Sequence, residues 1–225
     1  MNPADDSTSE GQLRQTLADT ARAMNQKQLN QGRSGNLSAR CSDGMLITAS
    51  GCHFDTITSD HIVRCDFEGH CADPLKPSSE RSFHAAIYRQ RPDAGAVIHV
   101  HSPWATTLAC LRRPIPAFHY MVAVAGGTDI PCVPYATFGT DELARYVAEG
   151  VAERDACLMA NHGMVALADS PEAALELAVE VEHLARCYCQ ALTLGEPTLL
   201  SREDMDAVLE RFGSYRRNAQ ATDAR

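Results

Sequence analysis

The amino-acid sequence predicts an α/β fold. Short apolar runs rich in β-branched residues alternate along the chain with longer segments whose apolar residues recur every three or four positions. Hydrophobic residues make up 44% of the 225 residues and aromatic residues only 6%, as in an ordinary α/β protein with one sizeable core. We therefore expect one domain over residues 1–225, with flexible polar tails at 1–10 and 214–225. The alternation of strands with helices, taken alone, favours a parallel sheet.

The helices are predicted from their apolar spacing and from residues that favour helix ends. Serine or threonine precedes several of them, proline occupies first helical positions, and glycine follows their last turns. In chain order the predicted helices cover residues 12–29, 78–91, 103–111, 140–151, 171–194 and 201–213. The predicted strands cover residues 45–48, 61–67, 96–101, 157–160 and 164–168. Residues 34–40 form a short connecting segment, and the Pro- and Gly-rich stretch 114–138 is interpreted as a functional loop.

Charge and cysteine usage exclude several classes of function. A formal net charge of −9 argues against nucleic acid or an anionic membrane as the main partner. The chain has no apolar run of about 18 residues and no signal-peptide pattern, so we expect a cytoplasmic protein. The nine cysteines are odd in number and include no C-x-x-C pair. They are therefore predicted to be reduced thiols.

His99 and His101 stand two positions apart in the apolar run 96–101. Residues two apart in a strand point to the same face, about 7 Å from each other along the chain. Neutral imidazole is the commonest protein ligand for zinc, and such a pair needs one or two further ligands. The pair predicts a metal site, although a strand that carries two histidines for packing explains it equally well at this point.

His162 is the candidate third ligand, because it lies in an Asn-His-Gly turn between two predicted strands. Three histidines with an open fourth position are typical of catalytic zinc, while a plain turn is the alternative. Other metalloenzymes with two alternate histidines need more than this chain offers. A cupin needs a glutamate soon after the pair, a metallo-β-lactamase needs Asp-His, and an amidohydrolase barrel needs about 250 residues.

Glu80 is the candidate general acid or base. It stands in the predicted first turn of the helix that leads into the histidine strand. The helix dipole stabilises a carboxylate there, and apolar packing or a metal can retune its pKa. Ordinary helix capping also explains an acidic residue at this position, so the assignment depends on what lies nearby.

Small and hydroxyl-bearing residues suggest an anion pocket. Free backbone amides and hydroxyl groups are what a phosphate needs, and no glycine-rich motif for ATP or a dinucleotide is present. The residues concerned are Asn36, Ser50, Gly51, Ser78 and Ser79.

Five motifs together resemble the class II aldolase/adducin family, in order and in spacing, from about Leu13 to Phe212. They are Gly35-Asn36-Leu37-Ser38, Ile47-Thr48-Ala49-Ser50-Gly51, Pro77-Ser78-Ser79-Glu80, His99-Val100-His101 and Asn161-His162-Gly163. A second block, residues 115–121, 125–127 and 130–140, is similar to the bacterial L-fuculose-1-phosphate aldolases within that family.

The resemblance implies a three-layer α/β/α fold around a central, largely antiparallel sheet, instead of the parallel sheet that the alternation favours. It implies a zinc-dependent lyase with one Zn²⁺ per subunit. The expected reaction cleaves a ketose 1-phosphate, with L-fuculose 1-phosphate as the first choice, to dihydroxyacetone phosphate and L-lactaldehyde. It also implies a homotetramer with fourfold symmetry and active sites at subunit interfaces.

The resemblance assigns roles residue by residue. Glu80 is expected to be the base, and a fourth metal ligand when substrate is absent. Tyr120 is expected to be the acid that serves the aldehyde oxygen, acting from the neighbouring subunit, and Tyr215 to be a tail residue that helps close the site. The expected zinc ligands are His99, His101 and His162. The expected phosphate-binding residues are Asn36, Ser50, Gly51, Ser78 and Ser79. His84 and His119 are interpreted as packing or supporting residues.

Other activities in the same family stay open. An aldolase acting on 5-deoxy- or methylthio-ribulose 1-phosphate differs only in a few side chains around the aldehyde. A ribulose-phosphate 4-epimerase relies on an aspartate where this chain has Tyr120, and a methylthioribulose-phosphate dehydratase and a sugar-acid decarboxylase are further candidates. A non-enzymatic module resembling the adducin head is disfavoured because the three histidines and Glu80 are all present.

Overall fold

The structure, a computed structural model, describes residues 3–71 and 73–223, with side chains described for 9–71 and 73–212. The helices and strands are, in chain order, α1 (Pro3–Gln26), β1 (Asn36–Cys41), β2 (Gly44–Thr48), β3 (Ile62–Asp66), α2 (Arg81–Gln90), β4 (Ala96–Val100), α3 (Pro103–Cys110), β5 (Cys132–Val133), α4 (Asp141–Gly150), β6 (Ala156–Met159), β7 (Gly163–Ala168), α5 (Pro171–Leu194) and α6 (Arg202–Asp223). Short 3₁₀ helices cover Phe54–Thr56, Ser59–His61 and Tyr120–Ala125.

Within the described residues, seven strands form one sheet in the order β3-β2-β1-β4-β7-β6-β5. Every neighbouring pair is antiparallel except β5 and β6, which run parallel. The largely antiparallel sheet that the resemblance implies is therefore confirmed, and the parallel sheet favoured by the alternation is wrong. The alternation does not fix strand direction. Here β1–β2 and β6–β7 are joined by tight turns, and a tight turn reverses the chain between neighbouring strands.

Helices cover both faces of the sheet, so the fold has the expected three layers. α1, α3 and α5 pack on one face, and α2 and α4 pack on the other. Alternate residues of β4 belong to the two cores, with Ile98 on the α5 side and Val97 on the α2 side. His99 shares the face of Val97 and meets the ring of Phe83 in α2 edge to face, at 5.5 Å between centroids.

Several elements differ from their predicted extents. β1 is a central strand where only a connecting segment is predicted. α1 begins at Pro3 instead of Gln12, and proline is favoured at a first helical position. α6 continues past Gly213 to Asp223, because a glycine inside a helix costs only about 1 kcal/mol relative to alanine and need not end it. No helix in the described part of the chain is long and apolar enough to cross a membrane.

The cysteines are not all reduced thiols as predicted. Cys65 at the end of β3 and Cys71 form a disulfide, and the two residues also pair as an isolated antiparallel bridge with a Cα–Cα distance of 4.2 Å. The intervening turn brings the two cysteines next to each other. Their separation of six residues along the chain does not by itself predict this pairing. The other seven cysteines are free thiols.

Candidate active site

The three predicted metal ligands converge at one point. His99 lies near the end of β4 and His101 directly follows that strand, while His162 comes from the turn between β6 and β7. One ring nitrogen from each histidine lies within 4.8 Å of the others, and the Nε2 atoms of His99 and His101 are 3.0 Å apart. His99 Nδ1 lies 2.9 Å from the carbonyl oxygen of Met164, so Nδ1 carries the proton and Nε2 is left for a ligand. This group could bind a metal ion.

The turn that presents His162 depends on its two neighbours. Asn161 has a positive φ of 56°, in the left-handed region that asparagine tolerates better than most residues. A Cβ atom on Gly163 would lie 2.4 Å from the carbonyl oxygen of Val100 and 2.9 Å from the ring of His101. Only glycine therefore allows the turn to approach β4 closely enough to bring the third imidazole to the pair.

Glu80 lies beside the histidines, but not in the first helical turn as predicted. α2 begins at Arg81, and Glu80 is its N-cap residue without a capping hydrogen bond from its side chain. Its Oε2 accepts a hydrogen bond from Asn36 Nδ2 (2.9 Å) and lies 3.2 Å from His99 Nε2. Its Oε1 lies 3.3 Å from His162 Nε2 and is buried without a hydrogen bond in the described part of the chain. A buried carboxylate oxygen without a hydrogen-bond donor, beside the imidazole of His162 and close to a group of three histidines, fits a cation.

Burial controls the charges in this cluster. It lowers the pKa of His101 and of His162 to about 4 each, so both rings are neutral near pH 7, the form that binds a metal. Burial alone would raise the pKa of Glu80. The charge and hydrogen bond of His99, with smaller contributions from His162 and Asn36, outweigh burial and hold that pKa well below its usual range. A bound cation would act in the same direction.

A buried hydrogen-bond chain supports Asn36, which lies opposite His99 in the β1–β4 pairing. Because its Nδ2 donates to Glu80, its Oδ1 accepts from His84 Nε2 at 2.5 Å. The neutral ring then accepts at Nδ1 from Ser38 Oγ (2.6 Å), and Ser38 Oγ accepts from the hydroxyl of Tyr88 (2.8 Å). Burial lowers the pKa of His84 to about 3, which keeps this ring neutral. His84 is thus a supporting residue of the site.

The two predicted phosphate loops lie side by side. An isolated antiparallel bridge joins Ala49 to Pro77, and the amide of Ser50 donates to the carbonyl of Lys76 at 2.9 Å. The amide of Ser78 donates to the carbonyl of Thr48 at 3.1 Å. Both loops face a cavity of about 370 Å³. All five predicted phosphate-binding residues line this cavity, together with Glu80, His101 and His162.

Several further residues line the cavity that no sequence motif had indicated as binding residues. Arg33 and Ser34 precede the Gly35–Asn36 motif, and Cys52 follows Gly51. Tyr135 and Phe138 also line the cavity, and both are exposed. Their positions next to recognised motifs could have indicated that they line the cavity, because residues that flank a binding loop commonly share its pocket.

The structure does not bring the two predicted tyrosines into this cavity. Tyr120 begins the 3₁₀ helix Tyr120–Ala125 and is 50% exposed, and it is not among the residues that line the cavity of its own chain. The backbone of Tyr215 lies in α6, while its side chain lies outside the described residues.

Comparison with known proteins gives consistent matches. The family model described as "Class II Aldolase and Adducin N-terminal domain" matches residues 15–189. The 5-methylthioribulose-1-phosphate/5-deoxyribulose-1-phosphate aldolase of Rhodospirillum rubrum is 51% identical over 92% of this chain and 94% of that protein. The L-fuculose phosphate aldolase of Escherichia coli strain K12 is 47% identical over 90% of this chain and 95% of that protein. A solved L-fuculose 1-phosphate aldolase superposes with a TM-score of 0.87 at 40% identity, covering 90% of this chain and 96% of that one.

Proposed function

The chain belongs to the class II aldolase and adducin family, and we propose that it cleaves a ketose 1-phosphate to dihydroxyacetone phosphate and an aldehyde. It is a carbon–carbon lyase, an aldolase of the fuculose-phosphate or methylthioribulose-phosphate type. One observation carries the proposal: three histidines and a buried glutamate meet at a cavity that two adjacent hydroxyl-bearing loops also line. Metal-assisted carbon chemistry and phosphate binding are thus combined in one site.

We assign the metal as Zn²⁺, one per subunit, held by His99, His101 and His162. Zinc favours nitrogen ligands and keeps an open position in catalytic sites, and three imidazole ligands satisfy both requirements. Glu80 is the candidate fourth ligand in the absence of substrate, because its oxygens lie 3.2 and 3.3 Å from two of the ring nitrogens. Bound there, zinc would supply positive charge that stabilises negative charge developing on the substrate oxygens.

Glu80 is the group that moves a proton at the carbon where the bond breaks. Asn36 holds Oε2 by a hydrogen bond and so fixes the orientation of the carboxylate. Oε1 has no hydrogen bond in the described part of the chain and is therefore the oxygen available to exchange a proton with substrate. The low pKa of Glu80 leaves it ionised before reaction, as a base must be.

The loops 50–51 and 78–79 are assigned to the substrate phosphate. The hydroxyl of Ser78 accepts from the amide of Glu80 at 3.2 Å, so its own proton is free to donate. The amides of Gly51 and Ser79 have no protein acceptor within the described part of the chain. Hydroxyl and amide donors arranged around one point are suited to phosphate oxygens. Asn36 can add one donor, because only one of its two Nδ2 hydrogens is used by Glu80.

We further propose that Tyr120 protonates or hydrogen-bonds the aldehyde oxygen of a neighbouring subunit in a fourfold homotetramer. The exposed position of Tyr120, outside the cavity of its own chain, supports a role across an interface. Tyr215 is proposed as a tail residue that closes the same site.

Two kinds of substrate, the 5-substituted ribulose 1-phosphates and L-fuculose 1-phosphate, are favoured by specific observations. The relative at 51% identity is named for 5-methylthioribulose 1-phosphate and 5-deoxyribulose 1-phosphate, whereas the relative at 47% and the solved structure at 40% are named for fuculose phosphate. These sugars share the dihydroxyacetone phosphate half and differ in the aldehyde. L-Fuculose 1-phosphate, the first choice from sequence, stays a prediction beside the ribulose phosphates.

The test is release of dihydroxyacetone phosphate, followed through a coupled NADH-dependent dehydrogenase. Zinc-loaded protein is incubated separately with L-fuculose 1-phosphate, 5-methylthioribulose 1-phosphate and 5-deoxyribulose 1-phosphate. We expect turnover with at least one, and the highest kcat/KM identifies the preferred sugar. Chelator-treated protein is the control, which should be inactive and recover with zinc. If the loaded protein releases none from all three, or only epimerises or dehydrates them, the aldolase proposal is wrong.

A further inference from the structure

Arg33 is a cavity-lining residue to which no role has been assigned so far. It precedes the Ser34–Gly35–Asn36 entry into β1, and its guanidinium bonds to the loop that carries Gly51. Its Nη1 donates to the carbonyl oxygen of Gly51 at 2.7 Å, and its Nε donates to His53 Nε2 at 3.0 Å. Its Nη2 has no partner in the described part of the chain. Arg33 therefore has unused donors next to a proposed phosphate loop.

The segment that carries Arg33 is fixed against the metal strand. Gly35 has a positive φ of 81°, and a Cβ atom there would lie 2.7 Å from the carbonyl oxygen of His99. The chain at Gly35 is thus held in contact with β4, and the next residue, Asn36, bonds to Glu80. Arg33 itself is exposed, and it reaches the Gly51 loop from a position two residues before Gly35.

The positive charge of Arg33 also favours a contact with phosphate. Among the described residues that line the cavity, Arg33 is the only lysine or arginine, and its guanidinium is positively charged at any ordinary pH. The sequence has a net charge of −9, so its overall field does not favour a phosphate dianion. Hydrogen bonds from a guanidinium to phosphate are charge-assisted and can be bidentate.

We propose that Arg33 is a further substrate-binding residue that contacts the phosphate group through its free guanidinium nitrogens. The inference rests on the proposed function, because it assumes a phosphorylated substrate in this cavity. Gly51 and His53 orient the guanidinium, and His53 is a positioning residue in this arrangement. The phosphate is then held by backbone amides and serine hydroxyls on one side and by a charged donor on the other.

Two variants separate a charge contact from a purely structural tie between Arg33 and the Gly51 loop. Arg33→Lys keeps the positive charge but cannot reproduce the two hydrogen bonds of the planar group. Arg33→Gln keeps a neutral donor of shorter reach and loses the charge. A phosphate contact predicts that Lys retains more affinity than Gln, whereas a structural tie predicts that Gln is at least as good as Lys. Arg145→Gln is the matched control, since Arg145 is exposed and pairs with Glu149 away from the cavity.

Binding is measured by calorimetric titration of zinc-loaded protein with inorganic phosphate and with dihydroxyacetone phosphate, which needs no turnover. Arg33→Gln should weaken both by about 10- to 100-fold, the usual value of a hydrogen bond to a charged group. Arg33→Lys should recover part of this loss, and Arg145→Gln should match the wild type. Affinity in Arg33→Gln should also depend less on salt. In kinetic assays the loss should appear in KM, with kcat within about twofold and zinc content unchanged.

The proposal is overturned if wild-type protein binds neither probe, if Arg33→Gln binds both as the wild type does, or if Gln equals or exceeds Lys. Failure of the aldolase proposal is a separate result. A protein that cleaves no ketose 1-phosphate, but loses phosphate affinity in Arg33→Gln and regains it in Arg33→Lys, would support the role of Arg33 and contradict only the reaction.

Discussion

At the scale of single residues, the main feature of the site is that the two carboxylate oxygens of Glu80 have different surroundings. Oε2 is fixed by Asn36, whose amide orientation is set in turn by His84. Oε1 faces His162 and has no hydrogen bond within the described part of the chain. The arrangement holds the carboxylate rigidly while leaving one oxygen for chemistry, which is what a base beside a metal requires.

His84 should contribute to stability in a pH-dependent way. Its pKa falls from 6.5 to about 3 in the folded chain, because burial disfavours the charged ring. Below a pH of about 6.5 the unfolded chain therefore takes up a proton that the folded chain does not, and stability declines as pH falls toward 3. His84→Gln cannot reproduce both hydrogen bonds of the ring, to Asn36 and Ser38, so we expect it to be less stable near pH 7 by about 1–3 kcal/mol. Because glutamine does not titrate, the decline in stability at acid pH should be smaller. Chemical unfolding at several pH values measures both effects.

His183→Gln is the control for this comparison, because His183 is exposed on α5 and forms no ion pair with an acidic side chain in the described part of the chain. It should keep the wild-type pH dependence of stability. Equal slopes for wild type and His84→Gln between about pH 6.5 and 4 would show that His84 is not held neutral by its surroundings.

At the scale of elements, the helix after the metal strand depends on a distant carboxylate. Ser102 is the N-cap of α3 and Pro103 its first residue, as the sequence predicts, but the Ser102 hydroxyl does not cap the helix. It donates instead to Glu182 in α5 at 2.7 Å. The same carboxylate accepts from the amides of Trp104 and Ala105, at 2.9 Å each. A negative charge from α5 thus satisfies and stabilises the start of α3.

Glu182→Gln should destabilise the protein by about 1–2 kcal/mol, because an amide nitrogen replaces one of the two accepting oxygens and the charge is lost. For a chain of this size the melting temperature should fall by about 2–8 °C. Zinc content per folded chain should not change. Glu176→Gln, at an exposed position of the same helix, is the control and should melt with the wild type. A Glu182→Gln protein that melts with the wild type would contradict the capping role.

Local patterns predicted much of this architecture, and long-range contacts explain what they missed. The spacing of His99 and His101 and the turn at His162 gave the metal group, because period and turn chemistry are local properties. The antiparallel direction of the strands could be predicted only from the resemblance to a known family. The Cys65–Cys71 disulfide and the reach of Arg33 to Gly51 depend on how separate segments meet in space. The spacing of residues along the chain does not predict such contacts.

At the scale of the whole molecule, one continuous sheet joins residues 36–168, while the single domain over residues 1–225 stays a prediction. The active site of one chain nevertheless lacks the proposed acid, since Tyr120 is not among the residues lining its own cavity. A fourfold ring in which each site takes Glu80 from one chain and Tyr120 from the next would complete it. Its mass in solution should be about four times the chain mass of 24.4 kDa.

Co-expression of two inactive variants tests this shared site. Glu80→Gln and Tyr120→Phe should each have low activity alone. In a random equal mixture, one site in four carries both native residues, so about a quarter of the wild-type activity should return. The measurement is dihydroxyacetone phosphate release by purified mixed tetramers. Mixed tetramers no more active than the parent variants would contradict sharing of the site between subunits.

We propose above all that Glu80 moves the proton beside the three-histidine metal group. Solvent deuterium exchange into dihydroxyacetone phosphate, without any aldehyde, tests this role most directly. Zinc-loaded wild-type protein should incorporate one deuterium at the reacting carbon. Glu80→Gln should keep its zinc while exchange slows by about 10²- to 10⁴-fold, the usual contribution of a positioned base. Metal content and exchange are measured in the same samples by mass spectrometry. Exchange at the wild-type rate in zinc-loaded Glu80→Gln would show that Glu80 is not the group that moves the proton.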